Sequence, residues 1–173
     1  MIMKSPVLIS ACLLGIKSRY DGTHALRKDI IKKYSDKILI PVCPEQLGGL
    51  PTPRPRAEIC GISNPPLPPF PDKIIRAQVS KGGMGELDSG KTSKGRLERV
   101  VDEKCRDVTK EFIKGAKEVL KIAKRFKIKK AVLKEKSPSC GAQFIYRNGK
   151  LVKGTGITAR LLKDSGIAVE GVK

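Results

Sequence analysis

Three of the five cysteines carry the first chemical signal. Cys12 stands inside the apolar run Val7–Leu14, Cys43 closes the run Ile38–Val42, and Cys140 follows Ala131–Leu133 after a Ser137-Pro138 break. If those runs are buried strands, all three cysteines lie at or just past strand C-termini, which face the crevice where open α/β sheets bind ligands. Residues 31 and 97 positions apart in sequence can then converge. Converging thiolates are soft donors and suit zinc or an iron–sulfur cluster. A Cys3His zinc site would need His24, the only histidine, from an awkward place at the start of an expected helix. Three thiolates without a fourth partner would instead leave one iron of a [4Fe-4S] cluster open, and an open position marks a catalytic rather than a structural metal. No Cys-x-x-Cys pair exists, which argues against a zinc ribbon or a thioredoxin-like dithiol. Buried cysteine is also an ordinary small core residue; the shared strand-end position separates these three from Cys60 and Cys105.

The elements that must position them read as alternating strands and helices. Val7–Leu14, Ile38–Val42 and Ala131–Leu133 are short apolar runs rich in β-branched residues, expected as buried strands, with Ile167–Val169 as a fourth. Thr23 is expected to cap a helix from His24 to Tyr34. The strongest helical pattern spans Val108–Phe126, with Asp107 as its cap and apolar residues at three- and four-residue spacing. Phe144–Tyr146 and Leu151–Val152 flank Asn148-Gly149, a hairpin signal. A short helix follows from Ile157 or Thr158 to Lys163. The expected fold is a single Rossmann-like α/β domain over residues 1–173: a mainly parallel sheet, helices on both faces and a small β-hairpin. Within it, residues 51–71 form a Pro-rich connection and residues 81–96 a Gly-rich loop, with Lys73–Val79 a possible strand between them. Gly85–Thr92 matches the phosphate-loop pattern, but no strand leads directly into it and Gly95 interrupts any following helix.

The 173 residues carry 36 Lys/Arg against 17 Asp/Glu, a formal charge of +19. The excess lies in residues 73–173, with 26 basic against 11 acidic residues. Such a field attracts RNA, nucleotides or another polyanion, and a Lys-rich surface serves solubility equally well. A non-catalytic RNA- or nucleotide-binding module is therefore an alternative reading. With four Phe, three Tyr and no Trp, binding of single strands by aromatic stacking is disfavoured. Ile9-Ser10-Ala11-Cys12 imitates a lipoprotein cleavage box, but only Val7–Ile9 precede it as an apolar run, where a signal segment needs roughly 7–15 residues. An odd cysteine count without an export signal points to a reducing, cytoplasmic setting and no membrane association.

Several local sequences together carry a resemblance. They are Ala11-Cys12-Leu13-Leu14-Gly15 with Arg19-Tyr20-Asp21-Gly22; Pro41-Val42-Cys43-Pro44-Glu45 with Gly48-Gly49-Leu50; Pro53-Arg54-Pro55 and Glu58; Asp107-Val108-Thr109 with Phe112 and Gly115-Ala116; Leu133–Gly141; and Gly154-x-Gly156-x-Thr158-Ala159. Over essentially its whole length the chain resembles the bacterial family of once-unknown function that contains 2-thiouracil desulfurase. The resemblance implies a [4Fe-4S] cluster on Cys12, Cys43 and Cys140 whose fourth iron takes the sulfur of a thiolated pyrimidine or related thio-compound. It implies a non-redox desulfuration, with Glu45 deprotonating water and Ser137 binding the ring or relaying a proton. Arg19, Asp21 and Ser139 are the candidates to orient substrate. Ser18 stands where many members carry a cysteine, so no fourth thiolate comes from there. An ordinary ion pair to Arg19 or Arg54 is the competing explanation for Glu45, and a turn before proline is the one for Ser137.

Overall fold

The computed structural model describes residues 4–60 and 99–173. Residues 61–71 of the Pro-rich connection, Lys73–Val79, the Gly-rich loop and the phosphate-loop match all lie outside the described residues.

The apolar runs form a parallel sheet. Strand β1 (Pro6–Ser10) is central, flanked by β2 (Ile38–Val42) and β5 (Lys130–Lys134), with β8 (Ala168–Val172) outside β5, in the order β2-β1-β5-β8. Both faces of the sheet are covered, as continuous apolar strands require. On one face Leu8, Ala131 and Leu133 pack against Val119, Leu120 and Ala123 of α3 (Thr109–Arg125) and Ala159 and Leu162 of α4 (Ile157–Asp164). On the other, Val7, Ile9 and Val132 pack against Leu13, Ile30 and Tyr34, around α1 (Lys28–Lys33). The chain leaves β1 to pair β2 on one side and returns to β5 on the other. This reversal of strand order opens a crevice at the C-terminal ends of β1 and β5.

A second four-stranded sheet was not foreseen. Its order is β4-β3-β6-β7, from β3 (Ala57–Cys60), β4 (Arg99–Asp102), β6 (Phe144–Arg147) and β7 (Lys150–Lys153). The hairpin β6-β7 is the expected one, turning at Asn148 and Gly149, both at positive φ (49° and 74°). Strands β3 and β4 are four residues each and lack a long alternating pattern; Ile59 and Val100 become core only by meeting Phe112 and Ile145.

Two helical expectations change. Residues 24–27 do not start α1. Ala25 N and Arg27 N instead donate to Cys12 O and Leu13 O (2.9 and 3.0 Å), strapping this segment to the 3-10 turn Ala11–Leu14. Thr23 caps no helix, because its hydroxyl bonds Asp21 Oδ1 at 2.6 Å. At α3, Asp107 accepts from Thr109 N (2.9 Å) as expected, but Phe126 is 56% exposed rather than core.

Glu170 ties α1 and its C-terminal flank to the sheet edge. It accepts from Lys33 Nζ (2.7 Å) and Tyr34 Oη (2.6 Å), and pairs with Lys130 Nζ at 3.0 Å. Those partners, led by Lys33, pull its carboxyl from 4.5 down to about 2. A carboxylate depressed on folding stabilises above its unfolded value and loses that contribution as pH falls through the folded one. Glu170→Gln is expected to cost about 1–2 kcal/mol at pH 7 after allowance for solvent screening. Urea titrations at several pH values should show this gap closing between pH 4.5 and about 2; a gap that persists at pH 2 would exclude the electrostatic origin.

The short helix α2 (Pro44–Leu47), also unforeseen, carries the segment after Cys43. It lies backbone to backbone on α3: a Cβ on Gly115 would stand 1.8 Å from Pro44 O. Gly115→Ala must therefore push Cys43-Pro44-Glu45 away, at a cost of at least ~2 kcal/mol. We expect a lowered melting temperature and lowered activity together; an unchanged melting temperature would contradict this packing.

Candidate functional site

The crevice holds a cavity of about 320 Å³ whose walls include all three strand-end cysteines. Cys12 comes from the 3-10 turn after β1, Cys43 directly follows β2, and Cys140 lies in the loop after β5. Cys60 and Cys105 are not among the lining residues.

Each cysteine is held by its own loop. Ser137 Oγ accepts from Ser139 N and Cys140 N, both at 3.1 Å, and Gly141 N donates to Ser137 O at 2.9 Å, making the turn that presents Cys140. Cys43 Sγ donates to Ser18 O at 3.5 Å. Ser10, at the end of β1, accepts from Lys134 N at 2.9 Å, locking two strand ends together.

Burial dominates the electrostatics. It pushes the Cys12 thiol to about 11, with Cys43 adding to the rise and Lys134 and Arg19 opposing it. Cys140 is raised further by burial, then by Cys43 and Glu45, against the Ser10 hydrogen bond. Burial also draws the Lys134 ammonium below the ordinary lysine value, while Cys12 favours its charge. Burial thus favours the protonated form of the Cys12 and Cys140 thiols, and a metal taking them as thiolates must expel those protons.

The charged groups in the wall are mostly basic: Arg19, Lys134, Lys136, Arg54 and Arg56, against Glu45 and Glu135. Glu45, two residues past Cys43, pairs with Arg54 at 2.7 Å; the side chains are 16% and 4% exposed. Ser137 lines the same cavity. Arg19 does too, braced by Asp21 at 3.2 Å. Asp21 itself is not in the wall: its carboxylate takes Thr23 N and Oγ1, and these bonds, the hydroxyl's first, lower its carboxyl. Ser139 departs most from expectation. It is fully buried, outside the wall, and its hydroxyl shares a 2.8 Å hydrogen bond with Thr158 on α4, which ties the Cys140 loop to that helix. Ser10, Lys134 and Arg54 were not singled out as site residues; the Pro53-Arg54-Pro55 motif was the available signal for the last.

Zinc binds thiolate at roughly 2.3 Å, which would draw three sulfurs to within about 4 Å of one another. Among the described residues, no three His, Cys, Asp or Glu side chains are gathered to hold a single ion. His24 is exposed, its Nδ1 accepting from Leu26 N at 3.3 Å, and it does not line the cavity. Three soft thiols on one chamber suit an iron–sulfur cluster or zinc. No helix among the described residues is long and apolar enough to cross a membrane.

The profile of the 2-thiouracil desulfurase family matches residues 7–171. The chain belongs to the 2-thiouracil desulfurase family. It is similar to the uncharacterized protein YbbK of Bacillus subtilis (strain 168), 38% identical over 166 residues that span 94% of this chain and 93% of that one. It is also similar to the solved structure of the [4Fe-4S]-dependent thiouracil desulfidase TudS, with a TM-score of 0.67 and 33% identity, covering 97% of this chain and 91% of that one. Family membership thus accounts for the α/β frame.

Proposed function

We propose that the protein is an iron–sulfur-dependent desulfurase that replaces the thiocarbonyl of a thiolated pyrimidine by a carbonyl, using water and no net electrons. The observation that carries this reading is the opening of Cys12, Cys43 and Cys140, from three separate strand ends, onto one cavity that also holds Glu45 and Ser137. Cys12, Cys43 and Cys140 would hold a [4Fe-4S] cluster, the cofactor on which the similar desulfidase TudS depends. Bound by three thiolates, such a cluster supplies an open iron, a soft Lewis acid suited to sulfur.

The chain's own groups then have separable tasks. Glu45 takes a proton from the attacking water, its carboxylate oriented by the 2.7 Å contact with Arg54. Ser137 already accepts two backbone N–H bonds, so its remaining capacity is as a donor, directed to the ring or to the departing sulfur. Lys134 and Arg19 offset the negative charge that thiolates bring into a buried site. The sulfur leaves as hydrosulfide, and the proton balance is closed by Glu45 and solvent. A cavity of about 320 Å³ is at the small end of ligand sites, which suits a free base or similar small molecule.

Anaerobically reconstituted protein should convert 2-thiouracil to uracil and hydrosulfide in equal amounts, and cluster-free protein should not. Folded, cluster-loaded protein that leaves both 2-thiouracil and 4-thiouracil intact would overturn the reading.

A further inference from the structure

Arg54 is one of the most buried charged side chains in the described structure, with its side chain 4% exposed. A buried guanidinium is tolerated only when its donors are satisfied. Here they go four ways: Nε to Glu45 Oε2 at 2.7 Å, Nη2 to Ser18 O at 3.1 Å, and Nη1 to Thr52 Oγ1 and Pro51 O at 3.0 and 3.2 Å. Its backbone N also donates to Tyr20 O at 2.7 Å. One side chain therefore joins the loop that receives the Cys43 thiol, the loop 51–54 and the carboxylate after Cys43.

Arg54 and Glu45 also stand in two walls at once. A second cavity of about 280 Å³, bounded by Asp102, Asp107, Glu111 and Phe112, shares Glu45, Arg54 and Ala57 with the first. Glu45 thus borders open space on two sides, and Arg54 Nε holds its Oε2 at 2.7 Å. A lysine could not substitute, because a single ammonium lacks the planar fork that reaches all four acceptors.

We propose that Arg54 is the positioning residue of the reaction: it fixes Glu45 Oε2 and leaves Oε1, which has no hydrogen-bond partner among the described residues, as the oxygen presented to the attacking water. This rests on the desulfurase reading and on Glu45 as its base. Arg54 touches neither water nor substrate in this role; it acts through Glu45.

The test is a double-mutant cycle on cluster-loaded protein with R54Q, R54K, E45Q and R54Q/E45Q, with iron and sulfide content measured for each. R54Q should lower kcat at least ~10-fold, about 1.4 kcal/mol, while changing KM less than ~3-fold. R54K should recover only part of that loss. In the E45Q background, R54Q should change kcat less than ~2-fold, since the group it positions is gone. Melting temperatures of the cluster-free proteins give a readout independent of activity: the R54Q and E45Q losses should be non-additive. An equal fold-loss from R54Q in both backgrounds would make Arg54 a loop brace only and overturn the proposal, as would full kcat in R54K. If R54Q fails to fold, R54K and R54K/E45Q carry the same comparison. An E45Q enzyme with full kcat sinks the base assignment itself, whereas E45Q inactive with R54Q fully active sinks only Arg54.

Discussion

Replacement of Cys140 by serine is expected to abolish both cluster retention and desulfuration. Changes one shell out from a metal typically cost 10–100-fold in affinity or activity, so loss of a ligand itself should cost at least ~100-fold. Cys140 is buried and presented by the Ser137 turn, whose hydroxyl accepts from Cys140 N at 3.1 Å. Cys12→Ser and Cys43→Ser should behave alike. Cys60→Ser and Cys105→Ser should retain the cluster and turnover, since neither residue lines the cavity. Iron and sulfide analysis with a 2-thiouracil assay checks all five. Unchanged iron in Cys140→Ser would remove it from the site, and circular dichroism of the cluster-free forms separates ligand loss from misfolding.

Glu45→Gln is expected to have the second largest effect, and of a different kind. General-base catalysis contributes about 10²–10⁴-fold, so kcat should fall by that range while the cluster remains, because glutamine keeps the shape but not the basicity. The same change strips Arg54 of its anionic partner in a buried position. Breaking a buried pair from one side leaves an uncompensated charge, typically a loss of about 3–5 kcal/mol, reduced here by the bonds Arg54 keeps to Ser18, Thr52 and Pro51. A lower melting temperature with kcat unchanged would identify Glu45 as a structural ion pair alone. The pairing with Arg54 is real in the structure, so the two roles are not exclusive; kinetics decides whether the second exists.

The parallel sheet was legible because its strands are short continuous apolar runs that must be covered on both faces, and because Asn148-Gly149 demands a tight hairpin. The convergence of Cys12, Cys43 and Cys140 followed from that sheet alone, since strand ends in an open α/β fold share one crevice. The second sheet was hidden: β3 and β4 gain their burial only against Phe112 and Ile145, contacts distant in sequence. The start of α1 was misplaced because the pull of Cys12 O and Leu13 O on residues 25 and 27 leaves no trace in local pattern. Ser139 looked available beside Cys140, yet its direction is set by Thr158, nineteen residues on. Arg54 and Lys134 are site residues by burial and neighbourhood, which a basic residue in a basic chain does not announce.

The central claim is that three of the five thiols hold one inorganic centre. Anaerobic reconstitution followed by differential alkylation tests it most directly. About four irons and four sulfides per chain should be found, with Cys60 and Cys105 alkylated and Cys12, Cys43 and Cys140 protected until the cluster is removed. Folded protein that takes up no iron, or whose Cys12, Cys43 and Cys140 react as readily as Cys105 after reconstitution, would contradict the account.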